Sequence, residues 1–293
     1  MFDLRYHVAS LAAVFLALII GILVGVGISD RGLVDSAKKS LLESQVASLQ
    51  RQLDESSQQS TNRERERQAA RTFINETYPV LVRNRLRGKR IAVIFVGSAK
   101  GAMRSTVSSA LRDAGAEQVR LRAVKVPVDP QQIDTELAAQ PAAIGLLGKN
   151  RLESLGHALG REAVVGGETP LWDSLTDPVG ERVGGSKAPA DGVVVVRTVP
   201  PQRDGTSRFL LGLYSGLASA GPPAVGVEAT DAANPATQVF HQGGLSTVDD
   251  VDTAVGRLAL VLVLAGAQPG QYGVKDSAGG GPLPPLGTTA AGG

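Results

Sequence analysis

Few side chains in this sequence could do chemistry, and they are scattered. Cysteine is absent, and over residues 90–270 the soft or borderline metal ligands reduce to Met103, His157 and His241. Without cysteine there is no disulfide, thiolate zinc site, iron–sulfur cluster or cysteine nucleophile. Copper(I) prefers thiolates and thioethers, and Met103 is the one residue of that kind in this stretch. His157 follows Glu153 by four positions and His241 sits in Val239-Phe240-His241-Gln242-Gly243-Gly244, neither in an HxxH or HExxH spacing. Each therefore reads as structural or solvated. Only pairing of His241 with its copy across a two-fold axis would make a plausible pair. A Ser98, His241, Asp249 triad can be assembled on paper, but no GxSxG elbow presents the serine. Gly97-Ser98-Ala99-Lys100-Gly101 follows the first strand, where open α/β sheets hold phosphates. It is neither GxGxxG nor GxxxxGKS/T, so it reads as a tight strand–helix turn. Glu168, Asp173 and Asp177 flank Trp172 in a Pro/Gly-rich stretch that reads as a surface loop pinned by the indole. No catalytic residue, metal site or cofactor is predicted, and the chain reads as a non-enzyme.

The elements behind these residues fall into five stretches. Residues 1–7 form a short tail. Val8–Ile28 carries no charge, and its 21 residues suffice for one helical crossing of a bilayer. It exceeds the apolar core of a cleaved signal peptide and lacks an A-x-A-like site, so it reads as an uncleaved anchor. Ala9, Ala13, Ala17, Gly21 and Gly25 recur every four residues, a small-residue stripe that favours helix self-association in lipid. Residues 33–78 read as a helical coiled-coil stalk. Leu42, Val46, Leu49 and Leu53 follow heptad spacing, the seam turns polar at Ser56, Ser60, Arg63 and Arg67, and Ala70 and Ile74 restore it. Pro79 is expected to interrupt the helix. Arg83, Arg85, Arg87, Lys89 and Arg90 then form a basic patch, read as a solvated helix end. No nucleic-acid recognition motif accompanies it. The charge is asymmetric, net positive over residues 1–90 and net negative beyond, although the whole chain carries only +2.

Residues 90–267 alternate strand and helix signals. Ile91–Gly97, Val119–Val126, Gly192–Val199 and Pro223–Glu228 read as strands, with Ala142–Leu147 and a stretch near Val239 as further candidates. Met103–Ala114, Gln131–Ala139, Leu152–Val165, Thr206–Ala220 and a long final helix, Ser246–Ala267, read as helices, the last opened by Asp249 and Asp250. The pattern predicts a three-layer, Rossmann-like α/β domain. Residues 268–293, rich in Gly, Pro and Ala, are expected to be disordered.

The opening MFDLRYHVASLAAVFLALIIGILVGVGI, the stalk, KRIAVIFVG and DTAVGRLALVLVLAG together resemble the MctB family, labelled copper transport outer membrane proteins. The resemblance covers about residues 1–275. It implies a cell-envelope location, a role in copper efflux or tolerance, and a soluble domain outside the cytoplasm. Flanking charge alone does not orient the anchor. The resemblance implies copper but assigns no ligand residues. The residues themselves sit awkwardly with direct copper binding and with an outer-membrane pore, which needs a closed barrel of alternating strands. A cytoplasmic-membrane anchor fits them better. The expectation is a membrane-anchored homodimer that affects copper handling indirectly or with an envelope protein partner. The alternative is a scaffold or regulator of cell-envelope or division machinery.

Overall fold

The uncharged N-terminal run forms α1 (Leu4–Ile28), and the polar stretch after it forms α2 (Arg31–Val82). The computed structural model describes residues 4–28, 31–138, 151–175 and 179–285. The chain divides into two compact units, Met1–Ala70 and Arg71–Gly293.

In the first unit, Tyr6–Gly27 is long and apolar enough to cross a membrane, and its side chains are exposed among the described residues. The small-residue stripe faces open space at Gly21 and Gly25. Leu42, Val46, Leu49 and Leu53 are 51–69% exposed, so the residues at heptad spacing stand uncovered among the described residues.

In the second unit α2 continues through Pro79 to Val82 rather than stopping there. Tyr78 and Val82 are buried in the core of the α/β head, and packing of this magnitude, about 1.5–3 kcal/mol for a large apolar side chain, opposes the proline's effect on the helix. Ile74, expected on the heptad seam, turns onto the head core as well. Phe73 and Val80 are left exposed instead. The head therefore starts well before residue 90.

Its centre is a seven-stranded sheet in the order β3-β2-β1-β4-β5-β6-β7. The strands are β1 (Arg90–Val96), β2 (Glu117–Val124), β3 (Gly180–Gly185), β4 (Gly192–Arg197), β5 (Ala224–Val227), β6 (Ser246–Val248) and β7 (Gln271–Tyr272). Six run parallel, and β3 pairs antiparallel with β2 at one edge. From Ile91 to Val96 every side chain of β1 is buried, as is Gly192–Val196 of β4. Strands without a polar face need helices on both sides. One face is covered by the end of α2, α3 (Ala102–Asp113) and α9 (Ala254–Leu264). The other is covered by α4 (Pro130–Ala138), α5 (Arg151–Val165), α6 (Pro170–Ser174), α7 (Asp204–Ala218) and α8 (Thr237–Gln242).

The carboxyl-terminal third departs from the sequence reading. The expected helix Ser246–Ala267 is strand β6 followed by the shorter α9. Ser246, Thr247 and Val248 are buried and pair with Val225–Val227, and the helix begins only after Thr253, whose hydroxyl accepts from the Gly256 N–H at 2.9 Å. The strand expected near Val239 is helix α8. The expected disordered tail is ordered as far as Pro285. Gln271 and Tyr272 add β7 alongside β6, and Tyr272 is buried. An unpaired β6 edge supplies the reason, since its backbone groups need partners whatever the composition of the segment that provides them. Ala142–Leu147 and residues 286–293 lie outside the described residues.

α5 and α7 meet backbone to backbone. A Cβ at Gly156 or Gly160 would overlap the main chain of Phe209–Leu217, and one at Gly212 or Gly216 would overlap the carbonyls of Glu153 and His157. Two small-xxx-small pairs thus interlock inside the core of the head. Gly212→Ala is expected to destabilise the head by about 1–3 kcal/mol through overpacking, read as a lower urea midpoint of Trp172 fluorescence. Gly279→Ala, which meets nothing within 4 Å, serves as the neutral control.

Candidate functional site

In a parallel sheet of this order, ligands favour the carboxyl ends of the strands beside the point where the chain reverses direction across the sheet, here between β1 and β4. The groups gathered there come from four strand ends. β1 ends in Gly97, whose φ of 100° and close approach to Thr198 and Val199 require glycine. Ser98 Oγ accepts from the Lys100 N–H at 3.3 Å, closing the turn before α3. β4 ends in Arg197 and Thr198, and the Thr198 hydroxyl donates to the carbonyls of Val96 and Ser98 at 3.2 Å each. The loop is thereby a stapled strand–helix turn, as its sequence suggested. Beside it lies a crevice of about 240 Å³ lined in part by Met103, Arg197, Val199 and Glu228.

β5 and β6 add four carboxylates, and each has a structural task. Glu228 accepts from the Ala236 N–H and from Lys275 Nζ, both at 2.5 Å. Asp249 accepts from the backbone N–H groups of Val274 (2.8 Å) and Lys275 (3.3 Å). Asp252 accepts from the N–H and hydroxyl of Thr230 at 2.7 and 3.0 Å. Asp250 accepts from the Thr253 hydroxyl at 3.0 Å, while its Oδ1 is buried without a partner. Glu228 and Asp249 therefore clasp the segment after β7 to the sheet end. Sequence reasoning had placed Asp249 and Asp250 in the first turn of a helix. The signal for the clasp was Lys275, an isolated cation in a Gly-rich stretch.

The three candidate metal ligands are not brought together. Met103 packs on the α3–α9 face, His157 on α5 lies 3.2 Å from Ser219 Oγ, and exposed His241 on α8 borders a shallow cleft beside Gln268–Tyr272. The Ser98, His241, Asp249 triad is not assembled either, because Ser98 and Asp249 are hydrogen-bonded to backbone elsewhere. Trp172 is the anchor expected of it. Its indole N–H donates to the Leu159 carbonyl at 2.9 Å and the Arg122 guanidinium lies 5.5 Å from its ring. Glu162, which the sequence reading passed over, accepts the N–H groups of Leu171 and Trp172 at the start of α6. Burial lifts its carboxyl above the usual carboxylate range. Glu168 meets Lys187, Thr169 donates to Asp173, and Asp177 lies outside the described residues.

The basic patch divides. Arg83, Arg85, Arg87 and Lys89 are exposed around Leu86, which is fully buried. Arg90 leaves the patch. Its guanidinium grips Asp191 with two hydrogen bonds of 2.9 and 3.1 Å, locking the start of β1 to the start of β4. Those bonds hold the Asp191 carboxyl below its ordinary value.

The sequence profile of the MctB family, described as copper transport outer membrane protein, matches residues 1–282. Proteins named copper transporter MctB from Mycobacterium bovis and Mycobacterium tuberculosis are 28% identical over 323 aligned residues, covering 95% of this chain and 98% of each relative.

Burial, with help from Asp249 and Asp252, raises the Asp250 carboxyl above its ordinary value, against the pull of the Thr253 hydroxyl. The native state then binds this proton more tightly than the unfolded chain, so stability declines as pH rises from about 4, the unfolded value, through the raised native one. Asp250→Asn keeps the acceptor for Thr253. It should raise the urea midpoint at pH 7 and flatten part of this decline; an unchanged pH slope would acquit Asp250.

Proposed function

This chain belongs to the MctB family, and on that premise we propose that it serves copper export and copper tolerance as an envelope protein anchored once by α1. The head lies outside the cytoplasm and acts with a partner protein rather than as the step that holds copper. The family match over residues 1–282 is the observation that carries the copper assignment. The indirect role is supported by the donors themselves. Met103, His157 and His241 stand on three separate elements, and the carboxylates at the sheet end are hard ligands already engaged with backbone and Lys275. An open sheet with edges at β3 and β7 and both faces covered by helices is unlike a membrane pore, which supports anchoring through a helix.

The stalk pairs with a second copy as a coiled coil. Leu42, Val46, Leu49 and Leu53 supply an exposed seam whose average spacing of 3.5 residues suits another helix. On the part of α2 that belongs to the head, Phe73 and Val80, seven residues apart, are exposed as a separate apolar pair. The Ala9, Ala13, Ala17, Gly21, Gly25 stripe provides a second contact in the membrane. The head is Rossmann-like, its parallel strands ordered as in doubly wound folds.

Deletion of the gene should lower copper tolerance, and the triple variant Met103→Leu, His157→Ala, His241→Ala should restore it as well as the unaltered gene. Failure of the folded triple variant to complement would make the head a direct copper carrier. Leu49→Asp with Phe73→Asp should shift the detergent-solubilised protein toward monomer in analytical ultracentrifugation. An unchanged dimer would move the contact away from the stalk.

A further inference from the structure

On the helical face that carries α7 and α8, a cavity of about 220 Å³ opens between these helices and the segment Pro201–Gln202. Two of the residues that line it carry buried donors without acceptors. Tyr214 is 0% exposed, and its hydroxyl has no hydrogen-bond partner. Arg197 gives Nη2 to the carbonyls of Asn234 and Pro235 at 3.2 and 2.6 Å, while its buried Nε has none. A buried donor without an acceptor costs about 1–3 kcal/mol, and two border one cavity. The guanidinium N–H can only donate. Burial raises the Tyr214 hydroxyl far above its ordinary value, so it stays protonated and able to donate at neutral pH.

What these two groups lack is an acceptor. Arg208 reaches the same cavity from the exposed side of α7, and no carboxylate is among the lining residues. Arg197 and Arg208 are the charged residues of the lining, and guanidiniums favour an anionic acceptor. Leu210, Leu211 and Val239 form apolar walls, which an inorganic ion would leave unfilled. The volume equals that of roughly seven waters in the liquid, room for a ring or short chain and its charged group.

We propose that this cavity binds a small organic carboxylate with a compact apolar body. The carboxylate sits toward Tyr214 Oη and Arg197 Nε, a slight side-chain rotation bringing these donors to it, and Arg208 closes the mouth. Binding here is independent of the copper reading, since the cavity contains neither Met103 nor His157 nor His241.

Benzoate, its neutral isostere benzamide and inorganic phosphate, titrated calorimetrically into the full-length protein in detergent, separate the possibilities. Benzoate should bind once per chain and raise the thermal midpoint, with benzamide and phosphate each weaker by about tenfold or more. Arg208→Gln, at an exposed position, should weaken benzoate several-fold without unfolding the head. Tyr214→Phe should weaken it too. Absence of saturable benzoate binding up to about 10 mM would overturn the proposal. So would equal binding of benzamide, tighter binding of phosphate, or unchanged affinity in the Arg208→Gln variant.

Discussion

β1 and β4 have no polar face, and the architecture of the head follows from that. A strand buried on both sides can be stable only between two layers, and the chain supplies them by different means. On one face α9, buried along most of its length, packs with α3 and with the end of α2. On the other, α5 and α7 come close enough that four glycines replace side-chain interdigitation with backbone contact. Arg90 and Asp191 then hold the two central strands together at the end where each begins.

The same economy governs the charged residues. At the carboxyl ends of β5 and β6, Glu228, Asp249 and Asp252 are all engaged in holding chain segments in place. Asp250 bears a cost, one oxygen shut away without a partner, at the entrance to α9. Arg120 is similarly consumed. It donates to the carbonyls of Ala163, Ser186 and Ala188, securing the region around β3. Most polar groups at this end of the sheet build the fold, whereas Arg197, at the end of β4, and Tyr214 keep donors unsatisfied beside the α7–α8 cavity. Chemistry is more informatively sought where a polar group is buried and unmet than where acids cluster in the sequence.

A family associated by name with copper transport is represented here by a chain with no cysteine and one methionine beyond the first residue. Soft-metal handling by such a protein rests, in the reading proposed above, on what it recruits and where it holds it. An apolar N-terminal helix and an exposed run at heptad spacing are suited to that kind of task, since both present apolar surface that is exposed among the described residues.

The sequence by itself determined what depends on local period and composition. The uncharged N-terminal run, the long polar helix, the apolar strands β1 and β4 and the helices α3, α5 and α7 were legible because each carries a strong signal within its own length. Only the tertiary structure decided features that depend on distant partners. Ile74 leaves the heptad pattern because the head offers it a core. Ser246–Val248 becomes a strand because β5 is waiting for it. Gln271 and Tyr272 are ordered because β6 would otherwise end in an open edge. The glycines of α5 and α7 say nothing alone, since each makes sense only opposite the backbone it touches. The cavity beside Tyr214 was likewise invisible, because an unmet hydrogen bond is a property of surroundings and not of residue type.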